Sequence, residues 1–183
     1  MDRRGELTDR ALDYVLVHGL LTLSLRPLAS ALGTSDRMLL YHFGSKERLV
    51  GEVLARAQQR LAGDLQTTRL PPADLRGLVH QLWTDLTAPR ATQITRLYLE
   101  VCILASQDAA RWAEAARQLR EPWREPLTLG LQGYGISAGR APALADLILA
   151  TLDGLALDRL TSDRPERVDA AAACFADLLA RTS

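Results

Sequence analysis

Apolar residues recur at intervals of three and four along almost the whole chain, and no stretch alternates every second residue as a half-buried strand does. The pattern predicts an all-α protein. The first run, Leu7, Ala11, Leu12, Tyr14, Val15 and His18, stops at Gly19. A second short helix follows Ser24, with Leu25, Leu28, Ala29 and Leu32 on its apolar face and Gly33 as a left-handed exit. A third must begin almost at once, since Thr34 and Ser35 offer capping hydroxyls and Leu39, Leu40 and Phe43 provide a face to bury. Ser45 then caps a longer helix that runs through Leu49, Val53, Leu54 and Ala57 to about Gly63. After the break at Leu70-Pro71-Pro72, helical patterns cover 73–87, 91–106, 108–121, 123–134, 141–161 and 165–181. Pro122 and Pro126 either kink one long helix or split it, and Gly130, Gly133 and Gly135 weaken the helical segment there enough for a loop or hinge. The run Gly130-Leu-Gln-Gly-Tyr-Gly lacks the preceding strand and the spacing of a phosphate cradle, and reads as a helix end.

Two short helices joined by a turn of about three residues must cross steeply, so the second projects its polar side outward. This is the layout of a helix-turn-helix, whose second helix enters a major groove about 12 Å wide. The projecting side carries Ser35, Arg37, Met38, Tyr41 and His42. Arg37 is the best base reader among them, because a guanidinium can grip guanine O6 and N7 with two hydrogen bonds. Tyr41, His42 and the hydroxyls of Ser24, Thr34 and Ser35 suit phosphate oxygens, as does Arg26, while Met38 can fill a gap beneath the helix or touch a thymine methyl. Lys46 is the only lysine of the chain, and its place at a helix start beside the reader suggests a phosphate clamp.

Leu-Leu-Tyr-His-Phe-Gly-Ser-Lys-Glu-Arg-Leu at 39–49, preceded by 24–35, resembles the DNA-binding domain of the tetracycline repressor (TetR) family over about fifty residues. The resemblance implies an all-helical dimer, with a helix-turn-helix domain at 1–50 and a variable helical ligand-binding and dimerisation domain at 51–183. It also implies a regulator of transcription, a repressor by family habit, and a bacterial origin. A small residue is common in the family where Arg37 stands, and an aromatic where Leu40 stands; both departures bear on the operator sequence.

Charge tempers this picture. Basic and acidic side chains number 22 each, so the molecule has no overall field to draw in a polyanion, and through residue 62 nine basic residues face seven acidic ones. Binding should therefore depend on a dimer, whose two reader helices, about 34 Å apart, double the phosphate contacts on a palindromic operator. A stiff helix from Ser45 onward would then act as a strut, through which an effector alters the spacing of the readers.

Cys102 and Cys174 have no Cys or His at metal-ligand spacing and read as reduced core thiols, with no metal or cofactor expected. No apolar run is long enough to span a membrane, and charges at positions 2, 3, 4, 6, 9, 10 and 13 exclude a signal-peptide core there, so the expected location is the cytoplasm, at the nucleoid. His18, His42 and His80 stand in no catalytic motif, and no enzyme is expected.

The helices at 141–161 and 165–181 are apolar around an arc too wide for one core contact. Paired with those of a second copy they would form a four-helix interface, placing homodimerisation at 141–181. Asp153-Gly154-Leu155 is either a place where a small residue lets helices approach or a solvated turn of the helix. The sparse rings and one thiol of the intervening region, Trp83, Tyr98, Cys102, Trp112 and Trp123, either pack the core or line a cavity for a small apolar effector. The competing function is a helical carrier or partner-binding module without specific DNA recognition. The effector, the operator and the regulated genes are not written in the sequence.

Overall fold

The computed structural model describes residues 3–65 and 72–181. Among them lie nine helices and no strand: α1 (Arg3–His18), α2 (Leu25–Ala31), α3 (Asp36–Phe43), α4 (Lys46–Leu65), α5 (Leu75–Thr87), α6 (Pro89–Gln107), α7 (Ala109–Gly133), α8 (Ala141–Thr161) and α9 (Pro165–Ala180). They form two compact units, one of Met1–Asp64 with Gln93–Leu119, the other of Leu65–Thr92 with Arg120–Ser183.

In the first unit, the stripe Leu7, Ala11, Leu12 and Val15 of α1 is fully buried. Gly19, at φ 77°, ends that helix, and its N–H still donates to Val15 O at 2.8 Å. The core continues through Leu28, Leu39, Phe43, Leu49, Val53 and Ala57 to Leu97 and Val101 of α6 and Trp112 and Leu119 of α7. Its packing therefore runs on past residue 50. Cross-ties reinforce it: Arg60 pairs with Asp9 and Asp13 at 2.9 Å each, Arg4 with Glu52, and Gln58 Nε2 donates to Leu119 O at 2.7 Å.

One such tie is built from opposite charges one turn apart on α6. Arg96 donates to Leu16 O at 2.7 Å, satisfying a carbonyl at the end of α1. The Glu100 carboxylate accepts the N–H of Leu20 and, at 3.2 Å, that of Leu21. A Cβ added at Gly19 would lie 3.0 Å from both Glu100 oxygens, so the carboxylate sits directly against the turn between α1 and α2.

In the second unit, α5, α8, α9 and the end of α7 bury Val79, Trp83, Leu131, Ile148, Leu152 and Ala172 together. Asp74 caps α5 by accepting from Gly77 N at 2.7 Å. Asp169 receives both Trp83 Nε1, at 3.0 Å, and Arg159 Nε, at 2.9 Å. α7 closes on Gly135 (φ 84°), with Ile136 N donating to Leu131 O and Gly135 N to Gln132 O, the paired bonds of a Schellman turn. Buried Ile136 and Leu131 form its apolar contact, so the glycine-rich run is a helix end.

Several expectations change. Pro122 and Pro126 lie inside a single α7, so the patterns at 108–121 and 123–134 are one helix. Leu70 and Pro71 lie outside the described residues; Pro72 is not helical. Ser24 holds the extended N-cap backbone of α2, yet its side chain makes no capping hydrogen bond. The thiols are not core groups either: Cys102 is half-buried and Cys174 exposed, because α9 turns its 174 position away from the stripe Val168, Ala172, Ala176 and Leu179. Leu40 is exposed, not buried with Leu39 and Phe43. At about 100° per residue it stands well round the helix from their stripe, and eight residues are too few for a second apolar face.

Candidate nucleic-acid interface

The turn between α2 and α3 is built as its residues dictate. Gly33 adopts φ 66°, Thr34 N donates to Ala29 O at 2.9 Å and Gly33 N to Ser30 O at 3.1 Å, which closes α2 in a Schellman turn. Ser35 then opens α3: its backbone is extended and its hydroxyl accepts from Met38 N at 3.2 Å. Thus Ser35, and not Thr34, provides the cap. With Leu39 and Phe43 buried, the opposite side of α3 faces water: Arg37 is exposed and Tyr41 is 79% exposed. His42 is half-buried, its ring 5.3 Å from Tyr41 and 6.5 Å from Phe43.

Ser24 and Arg26 are exposed at the start of α2, and Thr34 is half-buried in the turn. The nine candidate DNA contacts all belong to the first unit. Most of its arginines are committed elsewhere: Arg3, Arg4, Arg56, Arg60, Arg96, Arg111 and Arg117 all make ion pairs. Arg26 and Arg37 pair with no carboxylate among the described residues. Neither does Arg48, which the sequence pattern does not single out. It is exposed in the first turn of α4, with Nη1 3.6 Å from where a Cβ on Gly44 would stand, so its guanidinium lies over the C-terminal turn of α3. Three residues from a capping serine, it has no local feature to mark it.

Lys46 is turned differently from a free clamp. Its ammonium donates to Leu23 O, tying the start of α4 to the approach to α2. Burial, and then the nearby Arg111 guanidinium, hold its pKa below the usual lysine value. Beside it Ser45 caps α4 by accepting from Arg48 N at 3.2 Å. Burial works against the Glu47 charge. Its own backbone N–H, the Ser45 hydroxyl and Arg111, whose Nε is 2.5 Å away, together hold its carboxyl below the usual range.

An exposed helix, held out by a glycine turn and a serine cap and carrying an uncommitted guanidinium, has the layout of a helix-turn-helix. Residues 7–53 match the family model for bacterial regulatory proteins of the tetR family. Over those residues the chain carries a TetR-type DNA-binding domain. The match assigns this segment to the DNA-binding domain of bacterial regulatory proteins. No curated protein matches it. The TetR-like fold extends over nearly the full length. A transcriptional regulator from Rhodococcus sp. Rha1 superposes with a TM-score of 0.75 at 23% identity, covering 96% of this chain and 95% of that one. A TetR transcriptional regulator from Legionella pneumophila gives 0.71 at 18% identity over 98% of each chain. A regulator from Saccharomonospora viridis, in complex with choline, gives 0.70 at 22% identity over 95% of each.

The candidate effector residues are divided. Trp112 is buried in the core of the first unit, with Tyr98 partly buried against it and Cys102 half-buried. Trp83 is buried in the core of the second unit, and Trp123 there is half-buried. Among the described residues no group of three His, Cys, Asp or Glu side chains could hold a metal ion, and no helix is long and apolar enough to cross a membrane.

Proposed function

We propose that this regulator is a ligand-responsive repressor that binds a palindromic operator as a homodimer, with 1–50 reading DNA and 51–183 holding a small apolar effector and the second copy. The outward face of α3 carries the reading: Arg37 supplies base contacts, and Met38 and Tyr41 lie beside it. Ser24, Arg26, Thr34, Ser35, His42 and Lys46 are the supporting contacts, and Arg48 joins them on phosphate. Since the Lys46 ammonium already serves Leu23 O, Arg48 takes the larger part of the clamp.

Dimerisation through 141–181 is supported by the surface of α8 and α9. Leu147, Leu157 and Leu160 on α8 and Leu178 on α9 are exposed, as are Ala150, Ala171 and Cys174. A Cβ added at Gly154 would meet nothing within 4 Å, leaving room for a helix of another copy. The choline complex of the Saccharomonospora regulator supports a small-molecule effector. Candidate contacts are Trp83 and Trp123 in the unit that bears α8 and α9, and Tyr98, Cys102 and Trp112 in the other. The reading places the protein in the cytoplasm at the nucleoid.

The test measures affinity for duplexes selected from a random pool, at several salt concentrations, beside sedimentation of the protein. A dimer whose affinity falls steeply with salt and prefers its selected site over random duplex is the expected result. A monomer, or binding that is flat with salt and indifferent to sequence, would leave the partner-binding module as the better account.

A further inference from the structure

Reader helices usually carry several polar side chains toward the bases, because hydrogen bonds distinguish the base-pair edges. α3 is short of them. Asp36, Arg37 and Tyr41 are its exposed polar side chains, the Ser35 hydroxyl is spent on Met38 N, and His42 is half-buried against two rings. In their place Met38 is 43% exposed and Leu40 42% exposed. A single exposed leucine means little on a protein surface. Two large apolar side chains flanking the one guanidinium of an eight-residue reader helix are a different matter.

Their positions derive from the helix period. At about 100° per residue, Arg37 and Tyr41 share the outward stripe, and Met38 and Leu40 stand on opposite sides of it. The two therefore meet different base steps when Arg37 points into the groove. The apolar group that the major groove offers at a base edge is the C5-methyl of thymine. Bringing it against Leu40 or Met38 removes both surfaces from water, and the flexible thioether of Met38 adapts to it readily.

We propose that Leu40 and Met38 are specificity residues that read thymine methyl groups on either side of the base pair gripped by Arg37. The inference rests on the DNA-reading proposal above and names the chemistry of the half-site: a guanine contact bracketed by A·T pairs. It assigns to Leu40 a role that its neighbours Leu39 and Phe43, both buried, do not share.

The whole 183-residue chain is used to select duplexes from a random pool, and each thymine of the preferred half-site is then replaced singly by deoxyuridine. That replacement deletes the methyl and leaves every hydrogen-bonding group in place. Affinity should fall about fourfold at each of two positions, the value of one buried methyl. Leu40→Ala should abolish the loss at one position and Met38→Ala at the other, with cooperative urea unfolding retained because both side chains are partly exposed. A preferred half-site without thymine beside the guanine, or one indifferent to deoxyuridine throughout, would overturn the inference while leaving DNA reading intact. Losses that persist in both variants would overturn it too. If no sequence is preferred over random duplex, the DNA-reading proposal falls and takes this one with it.

Discussion

Glu100→Ala should destabilise the reader domain although the residue lies about eighty positions away in sequence. Its carboxylate accepts the N–H groups of Leu20 and Leu21. The side chain is 14% exposed, so solvent screens it little. Hydrogen bonds to a charged acceptor contribute about 1.5 to 3 kcal/mol, and a part-buried donor left unpaired bears its full desolvation cost. Because the Leu21 bond is exposed and longer than ideal, the total should be about 2 to 3 kcal/mol, read as a lower urea midpoint with unchanged slope at fixed protein concentration. Gly19→Ala adds a distinct signature. The left-handed backbone costs an alanine about 1 to 2 kcal/mol by itself, and crowding against Glu100 at 3.0 Å comes on top. In the double variant the crowding vanishes and the backbone strain remains, so the two losses should sum to less than additivity by about 1 kcal/mol. A Glu100→Ala protein within about 0.5 kcal/mol of the parent, or strict additivity with Gly19→Ala, would refute the claim that this carboxylate holds the turn.

Two further outcomes concern the reader itself. Arg37→Ala should relax sequence choice at one position by about 1 to 3 kcal/mol, whereas Lys46→Ala should weaken all duplexes alike and also lower the urea midpoint, since Leu23 O loses its donor; competition binding against single-base variants separates the two. Gly33→Ala meets no atom within 4 Å but must adopt φ 66°, so thermal unfolding should show a loss of about 1 to 2 kcal/mol, and an unchanged melting temperature would mean the turn relaxes.

The features legible in the sequence are local ones. Gly19, Gly33, Ser35 and Ser45 act on neighbours within a few residues, so α1, the turn and the starts of α3 and α4 stand where their residues put them. Leu40 misleads because an apolar residue in a short helix looks like core wherever it falls, and only the angle to Leu39 and Phe43 reveals otherwise. The same holds for α9, where Cys174 follows the four alanines 170–173 and looks like core although it is exposed. Lys46 and Glu100 are opaque for another reason. Their partners, Leu23 O and the amides of Leu20 and Leu21, are backbone atoms, which leave no trace in side-chain pattern.

The shared core of α1–α4 with the later parts of the chain has a practical corollary. A fragment cut after the fiftieth residue would lay bare Leu49 and Val50 and lose Val53, Leu97, Val101 and Trp112, the side chains that complete their packing. Such a peptide should be poorly folded however well its turn is written. Grafting this domain onto another scaffold therefore requires a discontinuous cassette, in which the stretch 93–119 travels with α1–α4.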